Sequence, residues 1–345
     1  MELEVLMSNL IYYGLFALGL ILIIKGSDWF IDSVIWIANV FKIPYIIIGA
    51  TIVSICTSLP ETFVSLAASV KGETDVAFGN AIGSISVNTG FIMAILLIFA
   101  KPLIEDKRDY IINGFFLIFL LIVTLMIGAV KGEINQLTGI VFLCLLVLYL
   151  ANNVISAKKL MSADCSETLE ENQICVVFTK QSFIQYGVRF IVGICGVIAG
   201  SNLLVDNGLK IAELLGVPSI LIAVIFTSLG TSLPELMTTI TSIRKKATNL
   251  GVGNIIGADI LNIIQVVSVS SLITPIPLAH DASILRVQLP FTLIIVSFAV
   301  LFGTYGRNGF KRWQGVILLL CYSLFVIMNL MREKTPIVGP VFFGV

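Results

Sequence analysis

The sequence predicts an all-α membrane protein of ten transmembrane helices, arranged as two inverted five-helix repeats with Pro-broken helices at the midplane. Three observations lead there. First, 57% of the 345 residues are hydrophobic, only 12% are charged and the mean hydropathy is +1.03, a balance outside the soluble range. Second, the stretch 52–88, which contains TSLPE and GNAIGSISVN, returns later in the chain. A constant offset of 174 carries Thr57, Ser58, Leu59, Pro60 and Glu61 onto Thr231, Ser232, Leu233, Pro234 and Glu235, and carries Gly79, Asn80, Gly83 and Asn88 onto Gly253, Asn254, Gly257 and Asn262. Ser27, Asp32 and Pro44 meet Ser201, Asp206 and Pro218 by the same offset, so the duplicated unit is about half the chain. Third, each half divides into five apolar spans, and an odd number makes the second copy enter the membrane upside down.

A span needs about 20 apolar residues. The expected spans are 8–27, 44–70, 76–100, 110–130, 135–152, 182–205, 218–243, 250–273, 286–304 and 313–331. Residues 8–24 have the length of a secretory signal, but the acidic start MELEVLMSNL and the pairing with 182–205 make this a retained span. The halves are 1–152 and 182–331; 153–181 is expected as a cytoplasmic linker too short to fold alone, and 332–345 as a tail. Of the 21 Lys and Arg residues, 13 fall in alternate loops and 6 on the opposite side, with Lys25 and Arg189 in or at the edge of spans. Positive charge collects on the cytoplasmic side, so both termini are expected outside.

Composition also excludes. Cys56, Cys144, Cys195 and Cys321 lie in apolar spans and Cys165 and Cys175 in one polar loop, which is no disulfide framework. A net charge of +0 leaves no basic patch for nucleic acid, and the one histidine, His280, rules out a multi-histidine zinc site. Membrane lipid is the expected surrounding, with no obligatory protein partner and no cofactor evident. Trp29, Trp36 and Trp313 are expected to face lipid or the interface, Lys25 and Arg189 to snorkel, and Asp28, Asp32 and Asp206 to sit at interfaces.

Chemistry concentrates in the repeated motifs. Pro60 and Pro234 each remove a backbone donor inside a span and free carbonyls upstream in SICTS and SLGTS. Carbonyls at membrane depth need a partner. The next residue in both copies is a glutamate, and a carboxylate at the bilayer centre costs roughly 3 kcal/mol on insertion scales. A cation held between Glu61 and Glu235 meets both demands. Calcium prefers carboxylate, carbonyl and amide oxygens, and sodium accepts similar groups. For Gly83, Ser84, Gly257, Asn80 and Asn254 the competing reading is helix packing, and for Glu61 and Glu235 it is a neutral packing role.

TSLPE with GNxxGS in the first half, and GTSLPE with GNxxGA in the second, resemble the sodium/calcium exchanger family of the calcium/cation antiporters, in its prokaryotic form without a regulatory domain. The resemblance covers both halves. It implies that Glu61 and Glu235 are acidic ligands shared by Ca2+ and Na+, that Thr57 and Thr231 offer backbone oxygens, that Ser58 and Ser232 offer hydroxyls, that Ser54 and Ser228 offer carbonyls, and that Ser84, Asn88 and Asn262 complete the set. Ala258 departs from the pattern where a serine is usual, Asn262 where some relatives carry aspartate, Asp259 and Ile85 where asparagine is common, and Cys56 where the other copy has Gly230. The family's position for Asp259 implies helix packing. Neither GN segment has the glutamate typical of proton-coupled relatives, which favours sodium. The function expected is a secondary antiporter exchanging Ca2+ for Na+ by alternating access in a prokaryotic inner membrane. Proton-coupled or other cation exchange, an ion channel and an intramembrane enzyme are the alternatives.

Overall fold

Long apolar helices build the molecule. The computed structural model describes residues 2–104, 107–163, 179–214, 229–278, 284–306 and 309–333. The first half comprises α1 (Glu2–Phe41), α2 (Tyr45–Thr57), α3 (Leu59–Val70), α4 (Thr74–Ala100), α5 (Lys107–Lys131) and α6 (Gln136–Ala163). The second comprises α7 (Lys180–Leu214), α8 (Leu233–Arg244), α9 (Thr248–Ile273), α10 (Ile284–Tyr305) and α11 (Arg312–Glu333). Among the described residues eight helices are long and apolar enough to cross a membrane, and the bent pair α2–α3 makes a ninth. The expected span 218–243 is described only from residue 229 onward, so its first part lies outside the described residues.

The offset read from the sequence reappears as matching helix boundaries. Leu59–Val70 corresponds to Leu233–Arg244, and Thr74–Val87 to Thr248–Leu261. Each of the latter pair then passes through a widened π-type turn, Asn88–Ile92 and Asn262–Val266. Such a turn inserts an extra residue into the helical ladder and re-aims the side chains around it. Asn88 and Asn262 begin these turns. Even the loop conformation repeats: Gly72 has φ +80° and its counterpart Lys246 has φ +60°, a left-handed position that glycine occupies without cost and lysine does not.

α4 and α9 form the centre, wrapped by α5, α6, α10 and α11 in one continuous apolar cluster. α1 and α7 pack against each other at the side, with a smaller cluster around Ile23, Phe30 and Val197. Outward faces carry bare apolar side chains such as Leu10, Val147, Ile191 and Leu320, as expected of helices solvated by lipid. A short antiparallel pairing ties Glu133–Ile134 to Ile276–Pro277 between the halves.

The α1–α7 contact is made backbone to backbone. A Cβ on Gly19 would lie 2.9 Å from the Gly200 carbonyl, and one on Gly26 would lie 2.7 Å from the Gly193 carbonyl. Gly19 and Gly26 are themselves the counterparts of Gly193 and Gly200 by the sequence offset. The pairing is therefore reciprocal and antiparallel, and small residues at the crossing let van der Waals packing hold the helices where lipid supplies no hydrophobic drive.

Several sequence expectations need correction. α1 runs to Phe41 and α7 to Leu214, well beyond 8–27 and 182–205. The polar residues that end the apolar window in α1 are paired: Asp28 lies 3.5 Å from Arg244 and 3.9 Å from Lys245, and Asp32 lies 2.6 Å from Lys245. α6 continues past residue 152 to Ala163, into the stretch expected as linker. Trp36 is buried at 6% exposure and stacks on Tyr186 at 4.8 Å, whereas Trp29 and Trp313 are exposed. Arg189 lies over the Tyr186 ring at 5.6 Å. His280, Cys165 and Cys175 lie outside the described residues.

Candidate ion-binding site

The helix break that positions the glutamates falls at Ser58 and Ser232, two residues before the prolines. α2 and α3 meet at an angle of 44°, with Ser58 at φ −83° and ψ 6°. Ser232 takes nearly the same conformation, φ −86° and ψ 8°. Pro60 and Pro234 then sit in the first turn of α3 and α8, where a missing N–H costs nothing. Neither can donate to the carbonyl four residues back. Glu61 and Glu235 follow at the helix N-termini, where the backbone amides favour negative charge.

Both carboxylates are completely buried and interact electrostatically with each other. Each receives a hydroxyl from the opposite half. Ser58 Oγ donates to Glu235 Oε1 at 3.3 Å, and Ser232 Oγ donates to Glu61 Oε1 at 3.4 Å. The threonines one residue earlier cross in the same way: Thr57 Oγ1 donates to Asn254 Oδ1 at 3.1 Å and Thr231 Oγ1 to Asn80 Oδ1 at 3.3 Å. Asn80 Nδ2 in turn donates to Ser65 Oγ at 3.0 Å and to the Glu61 carbonyl at 3.4 Å, while Asn254 Nδ2 donates to Thr238 Oγ1 at 3.2 Å. The duplicated motifs thus interlock, each half bracing the carboxylate of the other.

What remains unbraced is as informative. Glu61 Oε2 and Glu235 Oε2, together with both amide atoms of Asn88 and of Asn262, are buried without a hydrogen-bond partner. Native interiors leave few such atoms dry, and each one needs an explanation such as a water or an ion. Two carboxylate oxygens and two amide oxygens in this state are a donor set for a hard cation. Among the described residues no three His, Cys, Asp or Glu side chains converge, so neutral oxygens must supply much of any coordination.

The other residues of the sequence-derived set fall as follows. Ser84 Oγ shares a hydrogen bond with Thr231 Oγ1 at 3.4 Å; Ala258, its counterpart, has no hydroxyl to do so. The Ser54 carbonyl accepts from the Ser58 N–H at 2.9 Å and from Thr57 Oγ1 at 3.4 Å. Ser228 lies outside the described residues. Asn80 and Asn254 were read from sequence only as competing between ligand and packing roles, and here they brace the threonines. Thr89 carries no sequence signal, yet it donates to Asp259 Oδ2 across the halves.

Close approach of α2 and α9 makes this geometry possible. A Cβ on Gly257 would fall 2.6 Å from Ala50 Cα, and one on Gly253 would collide with the Ile46 carbonyl. Glycine there lets the two backbones touch. Gly79, the counterpart of Gly253, has nothing within 4 Å of a Cβ. The two halves are equivalent in sequence and unequally packed.

The sequence profile described as "Sodium/calcium exchanger protein" matches residues 11–155 and 186–331. The chain belongs to the sodium/calcium exchanger family. Members of this family are transporters, not enzymes, and the protein is a multi-pass integral membrane protein. It is 34% identical to the uncharacterized membrane protein MJ0091 of Methanocaldococcus jannaschii over 91% of this chain and 96% of that one. It is 30% identical to the inner membrane protein YrbG of Escherichia coli over 94% and 98% of the two chains. It is also 25% identical to the sodium/calcium exchanger MaX1 of Methanosarcina acetivorans over 90% and 96%. A solved structure of the sodium-calcium exchanger NCX_Mj, soaked with 2.5 mM Na+ and 10 mM Sr2+, superposes with a TM-score of 0.77 at 32% identity, covering 92% of this chain and 99% of that one. Membership in the exchanger family supports cation/Ca2+ exchange as the activity.

Proposed function

We propose that the protein exchanges Ca2+ for Na+ by alternating access, both ions competing for the oxygens between Glu61 and Glu235. The observation that carries this reading is the reciprocal bracing of the two carboxylates, each left with one buried oxygen free. Carboxylates facing each other in a dry site repel unless positive charge lies between them. One Ca2+ or more than one Na+ neutralises the pair. Thr57, Thr231 and Ser54 then contribute main-chain oxygens, Ser58, Ser232 and Ser84 hydroxyls, and Asn88 and Asn262 amide oxygens, with Ser228 as the counterpart of Ser54. NCX_Mj, with which the fold superposes, is named a sodium-calcium exchanger soaked with Na+ and Sr2+.

The architecture proposed is ten spans in two inverted repeats, 1–152 and 182–331, joined on the cytoplasmic side through 153–181, where α6 continues to Ala163 and α7 begins at Lys180, and followed by a tail 332–345. The antiparallel, reciprocal glycine crossing of α1 and α7 supports it, because a two-fold that exchanges antiparallel helices lies across them, in the plane of the membrane. With both termini outside, the Gly253–Ile46 contact and the Asp28, Asp32, Arg244 and Lys245 cluster lie towards the cytoplasm, and the open flank of Gly79 lies towards the exterior. A site sealed inside and open outside is one end state of alternating access. The location proposed is a prokaryotic inner membrane, a reading that the bacterial and archaeal relatives support.

Calcium uptake into inside-out vesicles tests the coupling. An outward-directed sodium gradient should drive it, and a proton gradient alone should not. Uptake that follows the proton gradient and ignores sodium would give the proton-coupled alternative.

A further inference from the structure

The ends of the duplicated units are charged alike and paired unequally. Lys71 and Lys245 cap α3 and α8 in nearly the same conformation, φ −81° and ψ −5° against φ −86° and ψ 4°. Asp206 on α7 is the counterpart of Asp32 on α1. Lys245 pairs with Asp28 and Asp32, and Arg244 pairs with Asp28. Lys71 and Asp206 are both exposed, and among the described residues no salt bridge joins them. Lys210, one turn beyond Asp206, lies over the Tyr12 ring at 4.9 Å. The nearby serines differ in the same way. Ser27 Oγ donates to the Met237 carbonyl at 3.0 Å and lies 2.7 Å from Thr241 Oγ1, whereas its counterpart Ser201 donates to the Gly230 carbonyl at 3.1 Å. The position equivalent to Met237 is Phe63. Met237 packs into the cluster around α1, and Phe63 is 63% exposed. α1 thus lies along α8, while the matching face of α3 is bare.

We propose that Lys71 and Asp206 latch the exterior in the opposite end state, where they form the ion pair that Lys245 and Asp32 form here. The inference rests on the alternating-access reading above. An exposed lysine and aspartate need no partner to be stable, so their charges alone decide nothing. The displaced serine and the bare Phe63 face decide it, because two copies of one sequence can exchange conformations. α7 then docks on α3 as α1 docks on α8 now, and Ser201 moves from the Gly230 carbonyl to that of Phe63. Ser27 is released to the carbonyl of Cys56, the counterpart of Gly230. The two latches are unequal. Of the three inner ion pairs only Lys245 with Asp32 has a charged equivalent, since Asn202 replaces Asp28 and Val70 replaces Arg244. Exposed ion pairs are individually weak, yet small differences in what each state pairs are enough to shift a two-state equilibrium. The inner surplus therefore biases the protein towards the state sealed at the cytoplasm.

Hydrogen–deuterium exchange on the full-length protein in detergent, at one fixed sodium concentration, tests this in the turn 66–76 and its counterpart 240–250. Lys245→Gln is expected to speed exchange at 240–250 by roughly threefold and to slow it at 66–76, as one latch opens and the other closes. Lys71→Gln should be silent alone, yet in the Lys245→Gln background it should remove the new protection at 66–76. The charge exchange Lys71→Asp with Asp206→Lys should restore that protection. Should Lys245→Gln fail to fold, Asp32→Asn takes its place with the same expectations. Faster exchange at 240–250 with 66–76 unchanged in every variant reduces the inner pairs to a local clamp and overturns the outer latch, while sodium-driven vesicle uptake would still support the exchange reading. Lys71→Gln that disturbs 66–76 as much alone as in the double variant overturns it too. Wild-type vesicles without sodium-driven calcium uptake overturn this inference and the exchange reading together.

Discussion

Ser58 in the first half holds Glu235 in the second at 3.3 Å, and the mirrored contact holds Glu61 through Ser232 at 3.4 Å. Neither half can present its carboxylate without the other. The proposed ion site is in this sense a property of the duplication, assembled only where the two copies meet.

Glu61→Gln and Glu235→Gln should each abolish sodium-driven calcium transport. Each keeps the volume and one oxygen of the side chain while removing a charge from a fully buried site. A calcium ion left with one uncompensated carboxylate binds more weakly by about 3–5 kcal/mol, the cost of breaking a buried charge pair. Thermal melting without calcium should not fall, because one of two repelling charges is gone. Vesicle uptake and melting curves on both variants check the two halves of this expectation, and normal transport in either would place the ion elsewhere.

Gly79 and Gly253 occupy equivalent positions and should respond oppositely to alanine. Gly253→Ala drives a Cβ into the Ile46 carbonyl, a backbone atom that cannot swing aside, and overpacking of this kind costs about 1–3 kcal/mol. Gly79→Ala meets open space and replaces a poor helix former, which is neutral or stabilising by up to about 1 kcal/mol. Melting temperatures of the two variants in detergent settle it. Equal losses at both positions would mean that the halves are packed alike.

The crossed threonines should be worth more than their size suggests. Thr57→Val leaves the buried Asn254 amide oxygen without its donor, and Thr231→Val does the same to Asn80. Each is expected to cost about 1–3 kcal/mol of stability and to lower calcium affinity, because the asparagines fix the turns that aim the glutamates. Thr57→Val should be the more damaging, since Thr57 is fully buried and Thr231 partly exposed. Calcium titration and melting on the pair measure the order.

Much of this was legible in the chain itself. The 174-residue offset names both glutamates, both prolines and the reciprocal asparagines before any coordinates exist, because duplication leaves a register that apolar drift does not erase. The helix ends were less legible. α1 looks finished near residue 27 because Asp28 and Asp32 interrupt the apolar run, and only the fold shows Arg244 and Lys245 arriving to pair with them. Trp36 reads as lipid-facing until Tyr186 stacks on it. Asp259 was harder still. Its partner Thr89 lies 170 positions away on the other half, outside every repeated motif, and helical spacing on α9 alone does not reveal it.

The central claim is that sodium and calcium contend for the same pair of carboxylates. Binding of 45Ca2+ to purified protein, titrated with sodium chloride against choline chloride at equal ionic strength, tests it most directly. The account predicts that the apparent calcium Kd rises with more than the first power of sodium concentration and stays flat in choline. Calcium binding that is strong and indifferent to sodium would contradict it.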